Sequence, residues 1–141
     1  MPTKASDPGT DDVKKPVSGK TSGAKCILIV EDEKPLAHAL ALKMEHEGFT
    51  TEIAGNGADG MKAALAGSYV VILLDLIMPE VDGFAILQAL QEKNIKTPVI
   101  VLSNLGQDED REKAKKLGAK EYFVKANTPI ADILKKVKEI L

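Results

Sequence analysis

Polar or ionisable residues stand directly after four apolar runs of this chain. Glu31 and Asp32 follow CILIV, Asp75 follows VVILL, Ser103 follows VIVL and Lys125 follows YFV. A charge at the end of a strongly apolar segment is costly to desolvate, so its repetition asks for a chemical reason. Three carboxylates gathered at one edge repel one another and resist ionisation unless a cation sits among them. The donors are all hard oxygens, with no His or Cys at these positions, which suits Mg²⁺ better than zinc. Lys125 adds a positive charge for an arriving anion, and the Ser103 hydroxyl can donate a hydrogen bond to it. Such a set is equipped for phosphoryl transfer to a carboxylate nucleophile, Asp75. Taken singly each residue is weak: an acidic pair after a strand is usually a turn or a cap, and a lone lysine there is usually solvated. Their joint placement carries the argument.

That placement depends on the elements. The runs are β-branched or aromatic and apolar on both faces, as in strands covered by helices on each side. FTTEIA supplies a weaker strand after the first helical segment. Pro35 suits the first turn of helix one and Gly48 its end. Asn56-Gly57 reads as the turn from strand two into helix two rather than a hairpin. Helix three begins after EVDG and places Phe84, Leu87 and Leu90 on one face. In the last helix Thr128 is the expected N-cap and Pro129 the first residue, followed by a stripe of Ile130, Ile133, Leu134, Val137 and Leu141. The segment QDEDREKAKKLGA has acids at its start and lysines at its end, complementing the helix dipole, but few apolar anchors. It is expected to be the least stable helix. Strand and helix thus alternate five times, implying an α/β, doubly wound parallel sheet with right-handed crossovers. Ligands of such sheets bind at the carboxyl ends of the strands, where these polar residues fall.

The length of 141 residues fits one domain. A formal net charge of -2 gives no global preference for nucleic acid or an anionic membrane. Cys26 is the only cysteine, so no intramolecular disulfide forms, and its apolar surroundings read as core. No run reaches the length of a membrane span and no apolar leader is visible, so a cytoplasmic location is expected. Residues 1–23 contain four Lys, three Asp and only two valines as larger aliphatics after Met1. They are expected to be a disordered tail, leaving 24–141 as the folded domain. His38 and His46 read as solvated positions on helix one.

The stretches ILIVEDE, VILLDLIMPEVDG, VIVLSN and GAKEYFVKA, in this order and spacing across residues 25–141, resemble the receiver domain of two-component response regulators. The resemblance implies a flavodoxin-like sheet of order 2-1-3-4-5 with five helices, in a stand-alone receiver. It implies that Asp75 is the phosphoacceptor, supplied by a sensor histidine kinase or histidine phosphotransfer protein. Glu31 and Asp32 would hold Mg²⁺ with Asp75 and the backbone carbonyl of Ile77, and Lys125 would pair with phosphoryl oxygens. Ser103 would swing toward the phosphoryl group and Tyr122 would follow inward. The helix 4, strand 5 and helix 5 face would then be remodelled for a downstream protein, with the chain a monomer or a phosphorylation-dependent dimer. Such a domain promotes its own phosphorylation and dephosphorylation and is not a turnover enzyme on a separate substrate.

Some positions depart from the family pattern. Ala126 stands where a proline, typically cis, follows the lysine; a cis bond before a non-proline costs about 2.5–4 kcal/mol, so this loop is expected to be trans or strained. Val70 replaces a polar residue, Asn104 stands where small residues are common, and Ile77 is apolar, which should hinder an attacking water. Two alternatives compete: a degenerate receiver that only binds a partner, and an aspartyl-phosphate hydrolase, which usually places a second carboxylate where Ile77 stands. A flavodoxin-like cofactor binder is disfavoured because the first strand leads into carboxylates rather than a phosphate-cradling loop.

Overall fold

Each apolar run becomes a parallel strand because both of its faces find a helix to cover them. The computed structural model describes residues 25–141, so the expected tail at 1–23 lies outside the described residues. The strands are β1 (Cys26–Val30), β2 (Thr50–Ala54), β3 (Val71–Leu74), β4 (Val99–Ser103) and β5 (Glu121–Val124), in the order β2-β1-β3-β4-β5. The helices are α1 (Lys34–His46), α2 (Gly57–Ala66), α3 (Gly83–Glu92), α4 (Asp108–Lys116) and α5 (Ile130–Ile140). The fold expected from the sequence is the one observed.

Alternation along the strands divides the core into two layers. Leu28, Val30, Ile72, Leu74, Val99 and Val101 pack with Ile86, Leu87 and Leu90 of α3. Ile27, Ile29, Val71 and Leu73 face Leu40 and Met44 of α1 and Ile133, Leu134 and Val137 of α5. All residues of β1, β3 and β4 are buried, whereas β2, at the sheet's edge, buries only Ala54.

The helix starts show where sequence punctuation works. Asn56 Oδ1 accepts from Asp59 N at 2.8 Å and caps α2, as the turn reading of Asn56-Gly57 requires. Asp82 Oδ1 caps α3 through Ala85 N at 2.9 Å. In α3 the fully buried face is Ile86, Leu87 and Leu90, and Phe84 is half-buried under α4 instead. At α5 the expectation fails: the Thr128 hydroxyl donates to the Val124 carbonyl at 2.9 Å, and Pro129 occupies the N-cap position. The short 3₁₀ turn Lys125–Asn127 lies between the two, and the hydroxyl bonds back across it. Leu141, one residue past α5, is exposed, and Ile140 packs on the core in its place.

Helix α4 is held differently from the others, with Ala114 as its only buried residue. Arg111 lies over the Tyr122 ring, 5.0 Å from its centroid, and donates to the Tyr122 carbonyl at 3.3 Å. Lys113 sits 4.3 Å from the Phe84 ring centroid. Gln91 Nε2 of α3 donates to the Lys116 carbonyl at 3.1 Å, satisfying an otherwise open helix end. Such exposed polar anchors are individually worth about 0.5–1 kcal/mol, far less than a buried apolar face. Amide hydrogen exchange will therefore be faster in α4 than in α3 or α5, by about tenfold or more; equal protection would overturn this account.

Candidate functional site

The sheet register assembles the site. Val30 pairs with Leu74, so the next residues, Glu31 and Asp75, emerge side by side, with Asp75 N donating to the Val30 carbonyl at 2.9 Å. Ser103 pairs with Val124, which brings Lys125 to the same edge. Glu31 and Asp75 are only 2% and 4% exposed, and Asp32 is exposed. One carboxylate oxygen from each of the three lies within 4.8 Å of the others, and His38 and His46 take no part in this group.

A single ammonium answers the two buried acids. Lys125 Nζ lies 2.8 Å from Glu31 Oε1 and 3.1 Å from Asp75 Oδ2. The exposed Glu33 contributes a third carboxylate at 3.5 Å. Burial pushes the Asp75 carboxyl above its ordinary range; the Ile77 amide, which donates to Oδ1 at 3.1 Å, and Lys125 only partly oppose this. Burial raises Glu31 as well, against the Lys125 and Glu33 N–H hydrogen bonds, and the neighbouring Asp75 charge adds to it. For Lys125, burial disfavours the ammonium, but the bonds and charges of Glu31 and Asp75 outweigh it and raise its pKa. Glu31 Oε1 is buried and accepts no well-directed hydrogen bond, having only the ion pair. A buried oxygen with spare lone pairs, beside two more hard carboxylates, fits a hard divalent cation such as Mg²⁺.

Lys125 reaches this position without a proline after it. Among the described residues no peptide bond is cis, and Ala126 lies exposed in the short 3₁₀ turn. Val70, half-buried, joins the sheet through its amide to the Cys26 carbonyl, so its apolar side chain leaves strand pairing intact. Ser103 is fully buried at the end of β4, and its Oγ accepts from Leu105 N at 3.2 Å rather than contacting the carboxylates. Tyr122 is turned inward, 2% exposed, and its hydroxyl donates to the Leu105 carbonyl at 2.5 Å. Ser103 and Tyr122 thus hold the amide and the carbonyl of one residue. Ile77, 55% exposed, and Asn104 flank the site from outside.

The loop carrying Asp75 is tightly built. A Cβ on Gly83 would stand 2.5 Å from the Asp75 carbonyl oxygen and 2.7 Å from Leu76 Cα, so only glycine permits this approach. Glu80 has a φ of 74°, and Val81 N donates to the Pro79 carbonyl at 2.9 Å across it, a γ-turn that few side chains adopt. Sequence reasoning missed Glu33, Glu80 and Arg111. Glu33 alone had a cue, its adjacency to the acidic pair.

The profile of the response regulator receiver domain matches residues 27–138. This chain belongs to that family. The receiver is 37% identical over 115 residues to the transcriptional regulatory protein CusR of Escherichia coli (strain K12), covering 82% of this chain and 50% of CusR. It is 36% identical over 115 residues to the transcriptional regulatory protein SrrA of Staphylococcus aureus (strain NCTC 8325 / PS 47), covering 82% of this chain and 47% of SrrA. The chain therefore spans about half the length of the curated relatives it matches. Among solved structures, the Francisella response regulator 1452 receiver domain superposes with a TM-score of 0.78 at 31% identity, covering 82% of this receiver and 95% of that chain. The response regulator TrrA of Thermotoga maritima, solved in complex with Mg²⁺ and BeF, superposes with a TM-score of 0.73 at 28% identity, covering 83% of this receiver and 99% of that chain. Among the described residues no helix is long and apolar enough to cross a membrane.

Two buried acids sharing one ammonium leave an excess negative charge. Because the folded-state pKa values of Asp75 and Glu31 are raised, the stability linked to them is complete below their unfolded values and is lost as pH rises through the folded ones. At neutral pH the ionised pair is therefore a cost. Asp75→Asn leaves Lys125 still paired with Glu31, and in metal-free buffer at pH 7 it will stabilise the protein by about 1 kcal/mol or more, read as a higher Tm. The gain will shrink as pH falls through the raised carboxyl pKa values, and an unchanged or lower Tm at pH 7 would refute the account.

Proposed function

We propose that this receiver takes a phosphoryl group onto Asp75 from a phosphohistidine of a sensor histidine kinase or histidine phosphotransfer protein. The observation that carries this reading is the Lys125 ammonium held between Asp75 and Glu31 at 3.1 and 2.8 Å, beside Asp32, at the carboxyl edge of the sheet. An Asp75 carboxylate oxygen attacks phosphorus, the new O–P bond forms as the P–N bond breaks, and the histidine nitrogen keeps the electron pair. Glu31, Asp32 and Asp75, with the backbone carbonyl of Ile77, would hold Mg²⁺, which supplies positive charge to the transferring phosphoryl oxygens. Lys125 pairs with one of those oxygens, neutralising charge gained at the most buried part of the site.

The Ser103 hydroxyl swings to donate to another oxygen, and that movement draws its Oγ away from Leu105 N, from which it accepts at rest. Leu105 is bonded through its carbonyl to Tyr122, and Tyr122 carries Arg111 of α4 on its ring and carbonyl. A change at Ser103 therefore reaches the weakest-anchored helix through two intervening residues, Leu105 and Tyr122, altering the α4, β5 and α5 face that meets a downstream protein. The receiver works as an intracellular relay, as a monomer or a phosphorylation-dependent dimer, rather than as a turnover enzyme. Ile77, where hydrolases usually place a carboxylate, supports that distinction.

Incubation with Mg²⁺ and acetyl phosphate will add one phosphoryl mass to the intact protein, and no adduct will form in Asp75→Ala or with the metal chelated. Rapid phosphate release with continued turnover would instead mark a hydrolase, and no adduct with any small donor a binding-only module. Ile77→Asn, by admitting and orienting water, will shorten the lifetime of the adduct several-fold; a lifetime equal to that of the parent would remove Ile77 from the account.

A further inference from the structure

Glu33 occupies the N-cap position of α1, where a short polar side chain such as Asp or Ser would accept from the open amides of the first turn. It does not do so: no side-chain bond caps this helix. Its backbone amide instead donates to Glu31 Oε2 at 3.0 Å, and its own carboxylate lies 3.5 Å from Lys125 Nζ. Lys125 therefore touches three carboxylates, of which Glu31 and Asp75 belong to the metal-ligating group and Glu33 does not. Glu33 is also the only exposed member, its side chain 56% accessible on the solvent side of the ammonium.

We infer that Glu33 is a positioning residue that restrains the Lys125 ammonium and competes with the incoming phosphoryl oxygens for it. This deepens the phosphoacceptor reading and rests on it. In the resting protein Lys125 is answered by carboxylates on several sides; once a phosphoryl group arrives, the ammonium must turn toward it. The buried acids can exchange Lys125 for a metal ion as partner, whereas Glu33 has only water to take its place. Its contact is the one given up without replacement. An exposed pair of this kind weighs little, so Glu33 tunes occupancy by a small factor rather than blocking it.

The discriminating variant is Glu33→Asp, which keeps the charge, shortens the reach and supplies a better N-cap. Mg²⁺ alone, and then beryllofluoride at saturating Mg²⁺, are titrated by calorimetry into the parent, Glu33→Asp and Glu33→Ala. The expected result is beryllofluoride binding about two- to fivefold tighter in Glu33→Asp, at least as tight in Glu33→Ala, with Mg²⁺ affinity of Glu33→Asp within about twofold of the parent. The Tm of Glu33→Asp will equal or exceed the parent's, so a loosened fold does not account for the gain. If Glu33→Asp binds beryllofluoride like the parent while Glu33→Ala binds tighter, Glu33 acts through its field and not its contact, and the inference is overturned. It is equally overturned if both variants match the parent or bind beryllofluoride more weakly, or if Mg²⁺ affinity in Glu33→Asp changes in step with beryllofluoride. A parent protein that binds Mg²⁺ but no beryllofluoride would refute the phosphoacceptor reading itself, and this inference with it.

Discussion

One ammonium shared by two buried carboxylates is the constraint on which the rest of this receiver is organised. Glu31 and Asp75 are brought together by the register of β1 and β3, and Lys125 is brought to them across β4 by β5. None of the three positions is favourable alone. A buried acid without the lysine is an unpaired charge, and the lysine without both acids loses the partners that keep it protonated against its own burial. The sheet supplies the rigidity this needs, because every residue of β1, β3 and β4 is packed between helices and none can slip without flipping its neighbours into the wrong layer.

The apolar strands and the residues that end them were readable from the sequence because both obey a period or a boundary. An apolar run stops where the strand leaves the core, and the next residue must face the sheet's edge. Side chains whose partners are chosen by three-dimensional proximity were not readable. Thr128 looked like an N-cap, but its hydroxyl bonds back across a turn to the Val124 carbonyl. Glu33 carried no sequence cue beyond its place beside the acidic pair, and it reaches a lysine far along the chain. Arg111 looked like one more charge in a polar helix, yet its partner is an aromatic ring on another element. Glu80 adopts a left-handed backbone that its residue type does not announce, because the tight return from Asp75 to Gly83 imposes it. The missing proline after Lys125 proved immaterial to where the ammonium lies, since the 3₁₀ turn delivers it with an ordinary peptide.

Leu105 links the carboxylate edge of the sheet to β5. Its amide and its carbonyl are held by the two residues, Ser103 and Tyr122, that the family resemblance singled out as moving together. The two bonds fall on adjacent peptide units that share the Leu105 Cα, so only one residue separates the end of β4 from the Tyr122 hydroxyl of β5.

Helix α4 is attached to the domain by cations over rings and by a borrowed amide, with almost no apolar burial of its own. Its release from the sheet would therefore expose little hydrocarbon and carry a small heat-capacity change, unlike unfolding of the two core layers. A small heat-capacity change keeps the enthalpy of that release nearly constant with temperature, and its charged anchors make the docked and released populations of α4 shift with ionic strength. A helix held this way answers to the salt of its surroundings without the curved temperature response of a hydrophobic core.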